Sequence, residues 1–466
     1  MDKKTNNWQI KKLGEVFIIE RGGSPRPIED YITDAIDGIN WIKIGDTKGV
    51  TKYITKTKEK IKPEGLKKSR MVYEGDFILS NSMSFGRPYI MKTSGCIHDG
   101  WLVIRKNEKI NNDYLYYVLN SNQVYSQFSS LAKGSTVKNL NISAVQQVEI
   151  PLPPLETQHA IVSKIEELFS ELDKGIAELK TAQQQLKTYR QSVLKSAFEG
   201  KLTNENVKDG ELPDGWEMVL ITDLAEKDKN SLKAGPFGSS LKKEFYTPSG
   251  YKIYGQEQVI SGNPYYGDYY INEKKFQELY SCRVKPLDIL ISLVGTVGKV
   301  LLLPHNCEEG IINPRLIKIS LNKDIYSPQF FKYYFESSYV KSFYKAETRG
   351  TTMDVLNLGI IKTIPFPKPS IVEQNQIVQE IESRLSVTDN LEFVIRNSIE
   401  KAEALRQSIL KKAFEGKLLS EAEIAQCKQA ADYEPASELL KKIQAEKLAK
   451  EQEKKKKPTV KKKSKK

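Results

Sequence analysis

The chain has 466 residues, 39% of them hydrophobic, and a formal charge of +13. That length supports several cores, three or so domains by size; no apolar run approaches the roughly 18 residues of a membrane span, and four cysteines (Cys96, Cys282, Cys307, Cys427) with no Cys-x-x-Cys pair argue against a disulfide framework or zinc ribbon. Nine of the last thirteen residues are lysine with no acid among them, so without that tail the charge is 13 − 9 = +4, which neither demands nor excludes DNA.

The opening MDKKTNNWQI lacks the apolar stretch of a secretory signal, which points to the cytoplasm. Residues 8–150 are rich in Tyr, Ile, Val and Gly, with turn signals and runs such as Phe77-Ile78-Leu79-Ser80, and read as mixed α/β with short strands and a local helix over 114–128. Pro151-Leu152-Pro153-Pro154 cannot lie within a helix. From 158 to 200, apolar or small residues recur at spacings of three or four: Ile161, Ile165, Leu168, Leu172, Ile176, Leu179, Ala182, Leu186, Tyr189, Val193 and Ala197. This predicts one long helix, closed by Gly200.

Residues 190–202, RQSVLKSAFEGKL, return as RQSILKKAFEGKL at 406–418, with eleven identities at an offset of 406 − 190 = 216. So long a period makes each copy a fold of its own rather than a solenoid unit. The match extends back to Gln158/Gln374 through Ile161/Ile377 and Ile165/Ile381. Weaker echoes pair Trp8, Leu13 and Glu15 with Trp216, Ile221 and Asp223, Asp76-Phe77-Ile78-Leu79-Ser80 with Asp288-Ile289-Leu290-Ile291-Ser292, and Leu140-Asn141-Ile142 with Leu356-Asn357-Leu358.

Residues 216–364 are again mixed α/β, with a helix expected over 330–344. Pro365-Phe366-Pro367-Lys368-Pro369 opens a second long helix with two extra residues before Gln374, which predicts a differently set hinge. Its stripe is Ile377, Ile381, Leu385, Ile395, Leu405, Ile409 and Ala413, and Gly416 closes it. Each helix needs an apolar partner; the simplest is the other, and connectivity then makes the pair antiparallel. About 42 residues at 1.5 Å each give a strut of roughly 60 Å. Two independent amphipathic helices are the alternative. Another helix starts near Glu434-Pro435-Ala436 and dissolves into the lysine tail, a solvated end or a phosphate-attracting one. The fold class is therefore α+β, an internal tandem repeat with pseudo-two-fold symmetry.

Catalytic equipment is missing from the sequence. Gly200-Lys201, Gly298-Lys299 and Gly416-Lys417 are followed by Leu or Val, so no P-loop exists, and Gly295-Thr296-Val297-Gly298 reads as a tight turn. His98, His159 and His305 are few, and Cys96/His98 or His305/Cys307 offer two ligands each, short of a zinc shell. There is no Gly-x-Ser-x-Gly elbow.

A resemblance rests on Pro151-Leu152-Pro153-Pro154-Leu155-Glu156-Thr157-Gln158, on both copies of the Arg-Gln-Ser-x-Leu-Lys-x-Ala-Phe-Glu-Gly-Lys-Leu close, on Leu212-Pro213-Asp214-Gly215-Trp216-Glu217, on Gly235-Pro236-Phe237-Gly238-Ser239-Ser240-Leu241 and on Trp41-Ile42-Lys43-Ile44-Gly45-Asp46. Across residues 8–419 the chain resembles the specificity subunit of type I restriction–modification systems. The resemblance implies two target recognition domains, 1–155 and 206–370, and spacer helices at 156–205 and 371–420; beyond it, the residues themselves predict a C-terminal helix with a disordered tail at 421–466. It implies a noncatalytic subunit in which each domain reads half of an asymmetric bipartite site on double-stranded DNA. The helices would set the gap and dock two modification (methyltransferase) subunits, with restriction subunits completing the complex. S-adenosylmethionine, ATP and Mg would belong to those partners; in keeping with this, Asn313-Pro314-Arg315 is the nearest approach to an Asn/Asp-Pro-Pro-Phe/Tyr methylation motif and lacks its second proline and aromatic residue.

The expected DNA-binding groups are Lys43, Ser80, Asn81, Ser82, Arg87, Lys133, Ser135 and Lys138 in the first domain. In the second they are Lys233, Ser239, Ser240, Gln256, Gln258, Tyr265, Tyr266, Thr296, Lys299, Arg349 and Thr351. Gln256 suits adenine and Arg349 guanine. A specificity subunit of a smaller fused restriction–methylation enzyme and a noncatalytic coiled-coil scaffold binding proteins are the alternatives.

Overall fold

The computed structural model describes residues 8–81, 86–132, 139–204, 206–208, 210–347 and 356–456. The chain forms two units, Met1–Glu178 with Ser398–Lys466, and Leu179–Asn397.

In the first unit the strands Phe77–Ser80, Pro88–Met91 and Trp101–Ile104 are buried at every position, because they lie inside a sheet covered on both faces. The sheet runs Ile19–Arg21, Trp101–Ile104, Phe77–Ser80, Pro88–Met91, Tyr53–Ile54. A four-stranded sheet, Glu59–Ile61, Ile39–Ile42, Gly95–Ile97, Arg70–Val72, includes a parallel pair with Trp41 beside Cys96. Gln9–Lys12 pairs with Glu149–Leu152 and so joins the two ends of the domain at the start of the long helix.

The second unit repeats this plan. Its four-stranded sheet runs Leu232–Ala234, Leu316–Ile319, Ile289–Ser292, Val300–Leu302; its three-stranded sheet places Tyr251–Tyr254 parallel to Gly310–Ile312. Glu217–Leu220 pairs with Pro365–Lys368. The weak sequence echoes fall on equivalent structure: Leu13 and Ile221 are both fully buried, and Asn141 and Asn357 cap their helices by accepting from the N–H groups of Ala144 (2.9 Å) and Ile360 (3.0 Å).

The single helices expected over 114–128 and 330–344 are each two. Asn112–Leu119 is followed by Asn122–Leu131, and Pro328–Phe335 by Ser338–Glu347. Ser121 and Ser337 cause the breaks, since their hydroxyls accept from Val124 N–H (3.3 Å) and Val340 N–H (3.4 Å) and start a new helix.

The long helices are Leu155–Phe198 and Ile371–Phe414, of 44 residues each. Gly200 and Gly416 terminate them at φ +75° and +72°, with Lys201 and Lys417 N–H donating to Ser196 and Lys412 carbonyls (2.9 and 2.8 Å). The differently set hinge is corrected here. Pro367 and Pro369, not Pro365 and Pro367, answer Pro151 and Pro153, so no residues are inserted. Gln158 and Gln374, both fully buried, make the same latch: Gln158 accepts from Asn111 N–H and donates to Pro153 O (3.0 Å each), while Gln374 accepts from Ser327 N–H (2.7 Å) and donates to Pro369 O (2.9 Å) and Ile325 O (3.0 Å).

Within each unit the start of one long helix packs beside the end of the other, antiparallel. Ile161 and Ile165 share a core with Ile409, Leu410, Ala413 and Phe414 in the first unit, where Arg406 pairs with Asp173. Val193, Leu194 and Ala197 share one with Ile377, Ile381 and Leu385 in the second, where Arg190 pairs with Asp389. Tyr189 and Leu405, expected on the apolar stripes, are each 46% exposed, because a two-helix seam covers only a narrow strip. After Gly416, Glu421–Lys428 forms an additional helix, and Ala436–Lys456 packs Leu439, Leu440 and Ile443 into the first unit's core. Residues 457–466 lie outside the described ones. No helix among the described residues is long and apolar enough to cross a membrane.

Candidate nucleic-acid interface

In the second unit four strand-end loops, 235–240, 255–258, 293–298 and 313–315, converge. Gly235 N–H donates to Leu316 O (2.9 Å), Leu293 N–H to Arg315 O (3.0 Å), Asn313 N–H to Tyr254 O (2.9 Å) and Gly298 N–H to Ser292 O (2.9 Å). The first unit repeats these stitches: Gly22 to Trp101 O (2.9 Å), Asn81 to Gly100 O (3.0 Å), His98 to Ile42 O (3.4 Å) and Gly86 to Ser80 O (2.8 Å). Glycine is required at the closest approach, because a Cβ on Gly235 would stand 1.8 Å from Asn313 O, and one on Gly22 2.1 Å from His98 O. Loops held this way by rigid strands can carry different side chains on one backbone frame.

The side chains do differ. In the first unit Asp99 receives hydrogen bonds from Ser24 Oγ (2.9 Å) and Arg26 Nη2 (3.3 Å), and the Ser24 bond lowers its pKa, with burial opposing. His98 faces two backbone donors, Gly100 N–H 2.7 Å from Nδ1 and Ile44 N–H 3.2 Å from Nε2, and the neutral ring accepts from one of them at a time, which ties the turn after Lys43 to the 98–100 loop. Burial lowers the His98 pKa against the attraction of Asp99. In the second unit Asn313 and Arg315 stand where His98 and Gly100 stand in the first.

Lys43 is half-buried, paired with Glu59. Asn81, nearly fully buried, donates to Asp99 O (2.9 Å), and Ser80 is also buried; both shape the loop frame from beneath rather than form its surface. Arg87 is exposed, 5.5 Å from the Tyr89 ring centroid. Ser239, Thr296 and Lys299 are exposed, and Ser240 is half-buried on the 235–240 loop. Lys233 lies in the strand register opposite Lys318. Gln258 is buried, its amide accepting from Gly255 N–H (2.8 Å) and donating to Tyr266 O (2.6 Å), so it anchors the loop carrying Tyr265 and Tyr266. Those tyrosines are 46% and 54% exposed, which places them outside the core. The Gln256 amide donates to Val294 O and accepts from Arg315 Nη1 (3.5 Å). Ser82, Lys133, Ser135, Lys138, Arg349 and Thr351 lie outside the described residues.

Arg26, His98, Asp99, Asn313 and Arg315 also lie on these loops and were not among the expected groups. Their signal was the correspondence of 98–101 with 313–316, invisible without knowing which strands they precede. Among the described residues no group of three or more His, Cys, Asp or Glu could hold a metal.

The sequence model of the family described as "Type I restriction modification DNA specificity domain" matches residues 5–181 and 213–401. The chain belongs to this family. The Escherichia coli type I restriction enzyme EcoBI specificity subunit is 26% identical over 358 residues, 74% of this chain and 73% of that subunit. A chain from a structural study of complex assembly and conformational transition of the type I R-M system shares the fold, with a TM-score of 0.67 at 19% identity over 89% of this chain and 99% of the other. The HsdS subunit of Thermoanaerobacter tengcongensis is similar at a TM-score of 0.52 and 20% identity, over 89% and 98%. The two family matches fall one on each half of the duplication, so this type I specificity chain carries two specificity domains, each with its own loop frame.

Proposed function

We propose that each loop frame reads one half of an asymmetric, bipartite sequence on double-stranded DNA, and that the paired long helices set the gap between halves. The observation that carries this reading is the repeated backbone frame bearing different side chains. One frame docked on DNA positions the loops through phosphates, and different side chains then select different base edges. The expected DNA-binding residues named above remain the proposed contacts, with Gln256, Gln258, Ser80 and Asn81 as positioning groups. A 44-residue helix is about 66 Å long, on the order of one to two turns of DNA.

The chain acts as a noncatalytic subunit. Two methyltransferase subunits dock on the helices, where Val387, Leu391, Phe393 and Val394 expose 45–60% of their surface, and restriction subunits join that complex. S-adenosylmethionine, ATP and Mg are bound by the partners.

Single-molecule methylome sequencing of cells with and without this chain, beside an active modification subunit, tests the reading. A bipartite methylated motif that disappears on deletion supports it; an unchanged methylome overturns it.

A further inference from the structure

Arg315 is exposed, yet it is held. Its Nη1 donates to Gln256 Oε1 (3.5 Å), whose Nε2 in turn donates to Val294 O. Its backbone is pinned at both ends: its N–H donates to Asn313 Oδ1 (2.9 Å) and its carbonyl accepts from Leu293 N–H (3.0 Å). Among the described residues no carboxylate pairs with it. Arg26 in the first unit, by contrast, is paired with Asp99, and Gly100 stands where Arg315 does.

An unpaired guanidinium on a mobile stem loses rotamer entropy when it binds; one already oriented by an amide loses less, and its remaining donors match two acceptors side by side. Guanine presents O6 and N7 in that geometry in the major groove. We propose that Arg315 reads a guanine in the half-site of the second domain and that Gln256, rather than reading adenine, positions it. This rests on the reading of the loops as the DNA interface.

The test uses the assembled methyltransferase complex and its methylome-derived motif. Each guanine of the second half-site is replaced in turn by 7-deazaguanine, which lacks the N7 acceptor, and Kd is measured at fixed salt. At one position the wild type should lose about 10-fold or more in affinity and Arg315→Gln should not respond. Gln256→Leu should give an intermediate loss at that same position. The proposal is overturned if the second half-site has no guanine, or if Arg315→Gln responds at every position as the wild type does. It is also overturned if Arg315→Gln weakens specific and unrelated DNA equally with a shallower salt dependence, the mark of a phosphate contact. Failure of the parent reading shows separately, as a motif that survives exchange of residues 216–364.

Discussion

His98 and Asn313 occupy corresponding places in the two loop frames, but only His98 titrates. Its folded pKa is depressed below the ordinary 6.5 by burial, so its stabilising contribution is present above about pH 6.5 and is lost as pH falls through the folded value. Protonation also leaves the ring with no acceptor for either Gly100 N–H or Ile44 N–H. The protection factors of the Gly100 and Ile44 amides, exchange rates taken relative to the unprotected chain at the same pH, should therefore fall on acidification, and His98→Asn should flatten that dependence; an equal fall in the variant would contradict the assignment. Gly235→Ala places a Cβ against the Asn313 carbonyl and should destabilise the second unit by about 3 kcal/mol, measured by urea unfolding. Gln374→Leu strands Ser327 N–H and the carbonyls of Ile325 and Pro369. It should destabilise by on the order of 3 kcal/mol, with Gln374→Glu recovering only part. The sequence marked Gln374 by its repetition, whereas His98 was marked only as half of a two-ligand pair with Cys96, because the two backbone amides it faces, one of them 54 positions away, are set by the fold.

The long helices were readable because an apolar period of 3.6 is a local property of the chain, and the repeated Gly200 and Gly416 ended them. Their exposed flanks were not readable, since Tyr189 and Leu405 have the same spacing as their buried neighbours and differ only in what packs opposite. The breaks at Ser121 and Ser337 were missed because serine can also sit within a helix; the hydroxyl becomes a cap only when the chain turns there. Gly175 sits inside Leu155–Phe198 with nothing within 4 Å of its added Cβ. Gly175→Ala should stabilise by about 1 kcal/mol through helix propensity, seen as a rise in Tm.

For the chain as a whole, the duplication predicts modular behaviour. Replacing residues 216–364 with the corresponding region of another family member should change one half of the methylated motif and leave the other intact; a change in both halves would mean that the domains do not read independently. The sequence by itself determined the duplication, the helix pair, the mixed α/β character of each domain and the family, because these rest on local periodicity and on a repeat that can be counted. Only the tertiary structure decided which loops meet. The 235–240, 255–258, 293–298 and 313–315 segments are distant in sequence and are brought together by strand register, so Arg315 became a neighbour of Gln256 through hydrogen bonds that no spacing encodes.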